Sequence, residues 1–191
     1  MMNKINISNL IKEHFDTFYL NNAKKDNKQK DVKTLGLFFI LPGIISLVII
    51  FFFGNIGDSL SNSLLTCLSI LSPLMFGFFP FIYELIDNDD VNPKSRVLIR
   101  EFKANVLFTM LLSFISLAFI LIWTLVNNNL DFCILYFEED ISNILTNFIP
   151  LLLSCIVYYL VICLGFHILM IIQRFNFLIN QYNDFKKKNS E

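Results

Sequence analysis

Four long apolar segments, separated by short polar ones, dominate the pattern of the chain. They cover residues 35–53, 60–86, 106–126 and 149–172, and charges are nearly absent from them. A helix of about 20 apolar residues is long enough to cross the roughly 30 Å of hydrocarbon in a bilayer. The pattern therefore predicts an all-α, polytopic membrane protein with four transmembrane helices. Because the link NIGDS between the first two spans is very short, we expect these spans to form a tight helical hairpin.

Two amphipathic stripes extend the pattern beyond the spans. In INISNLIKEHFDTFYL, residues 5–20, apolar side chains recur every three or four positions, which predicts an N-terminal amphipathic helix. We expect it to lie on the inner membrane surface or against another subunit. A second stripe continues past span four, so we expect that helix to extend into the cytoplasm. Its apolar residues, candidates for contact with a cytoplasmic partner protein, are Phe175, Leu178, Ile179, Tyr182 and Phe185.

These elements divide the chain into a cytoplasmic amphipathic and basic leader (residues 1–34), a four-helix transmembrane domain (35–172) and a cytoplasmic helical tail (173–191). All fifteen Lys and Arg residues lie in the leader, between spans two and three, or after His167. Basic residues accumulate on the cytoplasmic side, so we expect both termini to be cytoplasmic. With 55% apolar and 16% charged residues, the composition excludes an ordinary soluble domain.

Candidate chemistry is sparse. The sequence has no Gly-rich phosphate loop, GxSxG, HExxH or CxxC motif. We therefore expect no catalytic, cofactor-binding or metal-binding residues and no direct binding of nucleic acid. The acidic residues from Glu84 to Asp90 lack the glycine and closing glutamate of a calcium loop, and are interpreted as a solvated cap. His167, within span four, can sense pH or line a pathway, but a hydrogen bond to a neighbouring helix is the favoured interpretation.

Small and weakly polar residues gather on one arc of span two, with a looser set in span three. At about 100° per residue, the span-two arc contains Ser59, Ser63, Thr66, Ser69, Pro73, Gly77, Pro80 and Glu84. The span-three set contains Asn105, Thr109, Ser113, Ser116 and Thr124. Such residues let membrane helices pack closely. Repeated around an oligomer axis, the same surface would line a narrow wet pathway, and both interpretations remain open.

The prolines of span two predict a bent helix. Pro73 cannot donate a hydrogen bond to the carbonyl group of Ser69, and membrane helices tolerate this where neighbouring groups satisfy the carbonyl. We therefore expect a bend at Ser69–Pro73, with this face packed against protein and not against lipid.

The order of these features suggests a family. A lysine-rich leader is followed by LLTCLSILSPLMFGFFPFIYEL, SRVLIREFKANVLFTMLLSF and FHILMIIQRFNFLI. In this layout the chain resembles the small four-span membrane subunits of bacterial anti-phage defence systems, such as the KwaA-type subunit of Kiwa and retron-associated membrane effectors. The resemblance implies an inner-membrane homo-oligomer that works with a cytoplasmic partner, senses or answers phage attack and perturbs the membrane. A small channel or transporter subunit unrelated to defence, and a membrane scaffold, are the alternatives.

Overall fold

The computed structural model describes residues 7–17, 19–20, 29–30, 36–87, 93–134 and 139–188 of the chain. Six α helices account for most of these residues: α1 (Ile7–Asp16), α2 (Leu41–Phe53), α3 (Asp58–Phe76), α4 (Phe78–Asp87), α5 (Pro93–Ile134) and α6 (Glu139–Lys188). A π-helical turn, Gly36–Ile40, leads directly into α2. Two short strands, β1 (Tyr19–Leu20) and β2 (Gln29–Lys30), pair antiparallel, with Tyr19 opposite Lys30.

Four helical segments are long and apolar enough to cross a membrane, which confirms the predicted fold class. They are Gly36–Phe53, Asp58–Glu84, Arg96–Asn128 and Phe148–Asn180. Large apolar side chains cover the outside of the single chain, including Phe51, Phe52 and Phe53 at the end of α2. Such a surface suits hydrocarbon and not water, so the protein is a multi-pass membrane protein.

The helices pack around a central pair formed by α5 and α6. α3 packs mainly along α5, and α2 packs mainly along α6. Spans one and two therefore separate after their short link and do not form the tight hairpin that its length predicted. The link begins at Gly54, whose φ of 70° and ψ of −145° suit only glycine, and whose N–H donates to the Ile50 carbonyl at 2.9 Å.

Span two is interrupted at Gly77, whereas Ser69–Pro73, where a bend was predicted, lies within one continuous helix, and the bend itself stays a prediction. α3 continues through Ser69 and Pro73 and ends at Phe76. The Gly77 N–H then bonds the Leu74 carbonyl at 3.1 Å, three residues back, where an α-helix would reach four residues back. Pro80 is the third residue of α4, and the N–H groups of a first turn have no partner within the helix. The missing donor of Pro80 therefore favours a new helix start just before it.

Two apolar clusters form the core. One lies between α3, α5 and α6 and centres on Trp123, Ile120 and Val157. The other joins α4, α5 and α6 around Phe102, Val106 and Ile82. The first cluster also contains a buried hydroxyl, that of Ser154. The Trp123 indole and the backbone N–H of Ile56 both donate to it, at 3.0 and 3.1 Å.

Candidate functional site

α1 packs against α5 of its own chain through one side. Leu10, Ile11 and Phe15 on this side are half-buried, and His14 is completely buried. The amphipathic helix exists as predicted. The prediction that its apolar side lies on a membrane surface or on another subunit is corrected. Its apolar side contacts the bundle of the same chain, because α5 and α6 offer a complementary apolar and aromatic surface there. Lys12, Glu13 and Asp16 stay exposed on the other side.

A buried hydrogen bond fixes α1 to α5. His14 Nδ1 lies 2.8 Å from Asn105 Oδ1. An amide oxygen can only accept, so Nδ1 of His14 carries the hydrogen and donates it. The Thr17 hydroxyl, just past the end of α1, lies 2.7 Å from the His14 carbonyl oxygen and 3.3 Å from Asn105 Oδ1. Asn105, completely buried in α5, therefore accepts from two side chains at the same end of α1.

A second histidine meets the first. The ring centroids of His14 and His167 are 5.2 Å apart, with a 41° angle between the rings. His167 is also completely buried, and its Nδ1 donates to the Cys163 carbonyl of α6 at 2.7 Å. The bond is thus made within its own helix, four residues back, and not to a neighbouring helix as predicted. Among the described residues, His167 Nε2 and Asn105 Nδ2 are buried without a hydrogen-bond partner.

Aromatic rings enclose this pair. The His14 ring stacks on Phe108, with centroids 3.8 Å apart and planes 2° apart. Phe108, Phe38 and Phe39 surround His167, with centroids 5.1, 5.5 and 5.6 Å from its ring. We call this site the histidine pocket; it consists of His14, Asn105, His167, Phe38, Phe39 and Phe108. It joins α1, the turn before α2, α5 and α6 in one place.

The pocket disfavours positive charge. Burial, and after it the neighbouring His167, lower the pKa of His14 from its ordinary value of 6.5, and Arg174 acts in the same direction. The hydrogen bond with Asn105 opposes them and is outweighed. Arg174 itself bonds Glu101 at 3.0 Å and ties α6 to α5. His14 is therefore neutral at physiological pH.

The predicted arc of span two faces away from the chain. Its candidates Ser63, Thr66, Ser69, Pro73, Gly77 and Pro80 are all exposed on the single chain. The Ser63, Thr66 and Ser69 hydroxyls donate to carbonyl groups four residues back in α3. The expectation that this face packs against protein is wrong within one chain, because α3 contacts α5 through its other side. Ser61, Leu68, Ser72 and Met75 are buried there instead.

Four of the five span-three candidates are completely buried, and Thr124 is half-buried. Asn105, Thr109, Ser113 and Ser116 lie in the interior of the bundle. The hydroxyl groups of Ser113 and Ser72 are hydrogen-bonded at 2.9 Å, and those of Thr124 and Ser61 at 3.1 Å. Spans two and three therefore pack closely through hydroxyl pairs, but with a different set of α3 residues from the predicted one.

Most described residues of the tail stripe contact their own chain. Phe175 packs against Phe78, Phe81 and Phe102, with ring centroids 5.2–6.0 Å apart, and Leu178 is buried in the same cluster. These two were predicted to contact a partner; α4 and α5 cover them instead. Ile179 is exposed, and the side chains of Tyr182 and Phe185 lie outside the described residues.

Sequence reasoning missed His14, although a signal existed. His14 follows Ile7, Leu10 and Ile11 by seven, four and three positions, which places it on the apolar side of its helix. A polar residue on such a side requires a buried partner. Nothing in the sequence indicated that this partner would be Asn105.

No protein-family model, curated protein or solved structure matches the chain. Among the described residues, no three His, Cys, Asp or Glu side chains are grouped so that they could hold a metal ion. The histidine pocket is therefore the candidate functional site on its geometry alone.

Proposed function

We propose that the protein is an inner-membrane sensor or effector of an anti-phage defence system, working as a homo-oligomer with a cytoplasmic partner. The likeness in layout to small four-span defence subunits supports the defence role. The observation that carries the sensor role is the docking of α1 on the transmembrane bundle through His14 and Asn105. A non-spanning helix held by a buried polar contact can transmit a change between the membrane surface and the spans.

The lengths of the helices support this coupling. At 1.5 Å per residue, α1 is about 15 Å long, half of what a crossing needs. Its exposed side carries Lys12, Glu13 and Asp16, which a cytoplasmic partner can contact. Its buried side contacts α5, and His14 also contacts His167 of α6. A partner that displaces α1 would therefore alter the packing of the two central helices.

In this proposal the protein acts by changing how its helices pack, and the partner supplies any enzymatic activity. The positive-inside rule supports placing both termini, and with them α1, on the cytoplasmic side. A signal on either side of the membrane can then reach the partner through α1.

The exposed arc of α3 supports association between copies. Ser63, Thr66 and Ser69 are weakly polar, and their hydroxyls already bond their own helix. Small and weakly polar surfaces favour contact between membrane helices over contact with lipid. The same arc favours a second candidate function, a small channel, in which it lines the oligomer axis.

Phage challenge tests the defence role. The chain is expressed with its genomic neighbours in a phage-sensitive host, and plating efficiency is measured. We expect protection by wild type and by Asn176→Ala, an exposed α6 position, and loss of protection in Asn105→Ala at equal membrane abundance. A wild type that protects against none of a broad phage panel would contradict the defence role.

Conductance in liposomes separates the two candidates. A channel lined by α3 conducts, and Ser63→Leu with Thr66→Leu abolishes the current. Sensor or effector action without a pore gives no current from the purified protein, while protection in cells persists.

A further inference from the structure

We propose that the histidine pocket is an acid-sensitive latch: it holds α1 on the bundle while both imidazoles are neutral and releases α1 when they gain protons. The latch adds a trigger, a fall in pH, to the proposed sensor or effector function. It does not depend on the defence role, because it follows from the contacts of His14 and His167 alone.

The two histidines leave one position each for an added proton. Both already use Nδ1–H as a donor, to Asn105 Oδ1 and to the Cys163 carbonyl. A further proton must therefore bind Nε2. Nε2 of His167 has no acceptor among the described residues. The rings of Phe38, Phe39 and Phe108 lie around the His167 ring. A buried charge without a partner is strongly unfavourable.

Within the part of the chain that the structure describes, the charged groups named below do not compensate for a proton on His167 Nε2. From α6, His167 and Arg174 both oppose a positive charge on His14, and the Cys163 thiol lies 3.6 Å from His167 Nδ1. From α5, Asn105 is neutral and Glu101 is bonded to Arg174 at 3.0 Å. The turn and α2, residues 36–53, contain no charged residue. On α1 itself, Lys12, Glu13 and Asp16 are exposed on the outer side.

Release of α1 is the simplest way to hydrate both rings. α1 has ten residues, whereas His167 lies within the 50-residue helix α6. Two side chains, His14 and Thr17, make the hydrogen bonds from α1 to Asn105. Leu10, Ile11 and Phe15 supply its apolar packing. Undocking breaks these contacts and gives both imidazoles access to water.

The slope of the docked-to-undocked ratio against pH distinguishes release driven by two histidines from release driven by one. In water each ring titrates near about 6.5. Below that pH, release with uptake of one proton changes the ratio of docked to undocked protein by up to about tenfold per pH unit. Release with uptake of two protons changes it by up to about a hundredfold.

Double electron–electron resonance on the full chain in phospholipid nanodiscs measures this ratio. Spin labels are placed at Asn9→Cys on α1 and Asn176→Cys on α6, both exposed positions. Cys163 is buried and is kept, while serine replaces Cys67, Cys133 and Cys155. We expect one short distance at pH 7.5, and a longer, broader distribution whose share rises steeply as the pH falls to 5.

Neutral variants identify the groups that titrate. In His167→Gln, and separately in His14→Gln, we expect the slope to fall from about a hundredfold to about tenfold per pH unit. Glu13→Gln, an exposed carboxylate of α1, should leave the wild-type slope unchanged. A wild-type distance that is constant from pH 7.5 to 5 overturns the latch, as does an equal slope in wild type and His167→Gln. His167→Gln decides the question even if His14→Gln fails to dock. Since no phage or partner is present, failure of the latch leaves the defence role to its own test.

Discussion

The rings of His14 and His167, which come from opposite ends of the chain, lie with their centroids 5.2 Å apart in the interior of the protein. One belongs to a short helix that cannot cross a bilayer, the other to a transmembrane helix. Their contact is the point at which α1 and the spans become one packed structure. Both donate Nδ1–H to an oxygen, so both adopt the same neutral tautomer.

The stability of the protein should depend on pH through His14. Its pKa is lowered on folding, chiefly by burial and next by His167, so below 6.5 the unfolded state binds more protons than the folded state. The stabilisation by neutral His14 is thus complete above pH 6.5 and is lost as the pH falls below it. Each pH unit changes the free energy of unfolding by up to about 1.4 kcal/mol. We expect the melting temperature in detergent to fall by about 3 °C per unit between pH 6.5 and 5.5.

The control for this prediction is His14→Gln, which should show a flatter dependence over the same range. A melting temperature that is independent of pH in the wild type would contradict a neutral, buried His14.

Ser154 should be needed because two buried donors share its hydroxyl. In Ser154→Ala, the Trp123 indole and the Ile56 backbone N–H lose their acceptor. Each unsatisfied buried group costs about 1–3 kcal/mol, so we expect at least about 2 kcal/mol of destabilisation. Chemical unfolding in mixed micelles, followed by the fluorescence of Trp123, measures the loss. Ser63→Ala, whose hydroxyl bonds only its own helix at an exposed position, should show no comparable effect.

Gly54 should not tolerate a side chain. Its φ of 70° with ψ of −145° lies in a region that other residues adopt at a cost of about 1–3 kcal/mol. We expect Gly54→Ala to reduce the free energy of unfolding by that amount, although no atom lies within 4 Å of an added Cβ. Gly57 belongs to the same link but has a φ of −83° and equally open space. Equal losses in Gly54→Ala and Gly57→Ala would show that the conformation of Gly54 is not the cause.

Phe175 and Phe177 form a matched pair in α6. Phe175 contacts three rings from α4 and α5, whereas Phe177 is 54% exposed. Removing a buried Phe side chain costs about 3–5 kcal/mol; since Phe175 is half-buried, we expect Phe175→Ala to cost about 2 kcal/mol. Thermal unfolding of both variants in one detergent makes the comparison. If Phe177→Ala is the more destabilised variant, Phe177 is covered by a partner or a second copy and Phe175 is not a core residue.

The sequence was sufficient for features that depend on local periodicity. The spans follow from hydropathy and length, and α1 from its spacing of apolar residues, so both were predicted correctly. The buried face of span two was not predicted correctly, because serine and threonine occur on both sides of α3. Ser63 and Ser69 bond carbonyl groups of their own helix and need no partner, whereas Ser61 and Ser72 meet hydroxyls of α5. Hydroxyl groups in a membrane helix therefore do not identify the side that packs against its own chain.

Contacts between distant parts of the chain could not be derived either. The tail stripe around Phe175 was predicted to contact a partner protein, but α4 and α5 of the same chain cover Phe175 and Leu178. Likewise, His167 and Asn105 were noticed separately, and only the fold brings His14 between them.

Solid-state NMR of the two imidazoles tests the account most directly. The chain contains only His14 and His167, so histidine labelled with ¹⁵N and ¹³C gives two assignable rings in the full protein in lipid. At pH 7.5 we predict that both rings carry hydrogen on Nδ1, and that a through-space cross-peak joins them. Rings that carry hydrogen on Nε2, titrate near about 6.5 as free imidazoles do, and show no cross-peak would contradict the docking of α1 in the histidine pocket.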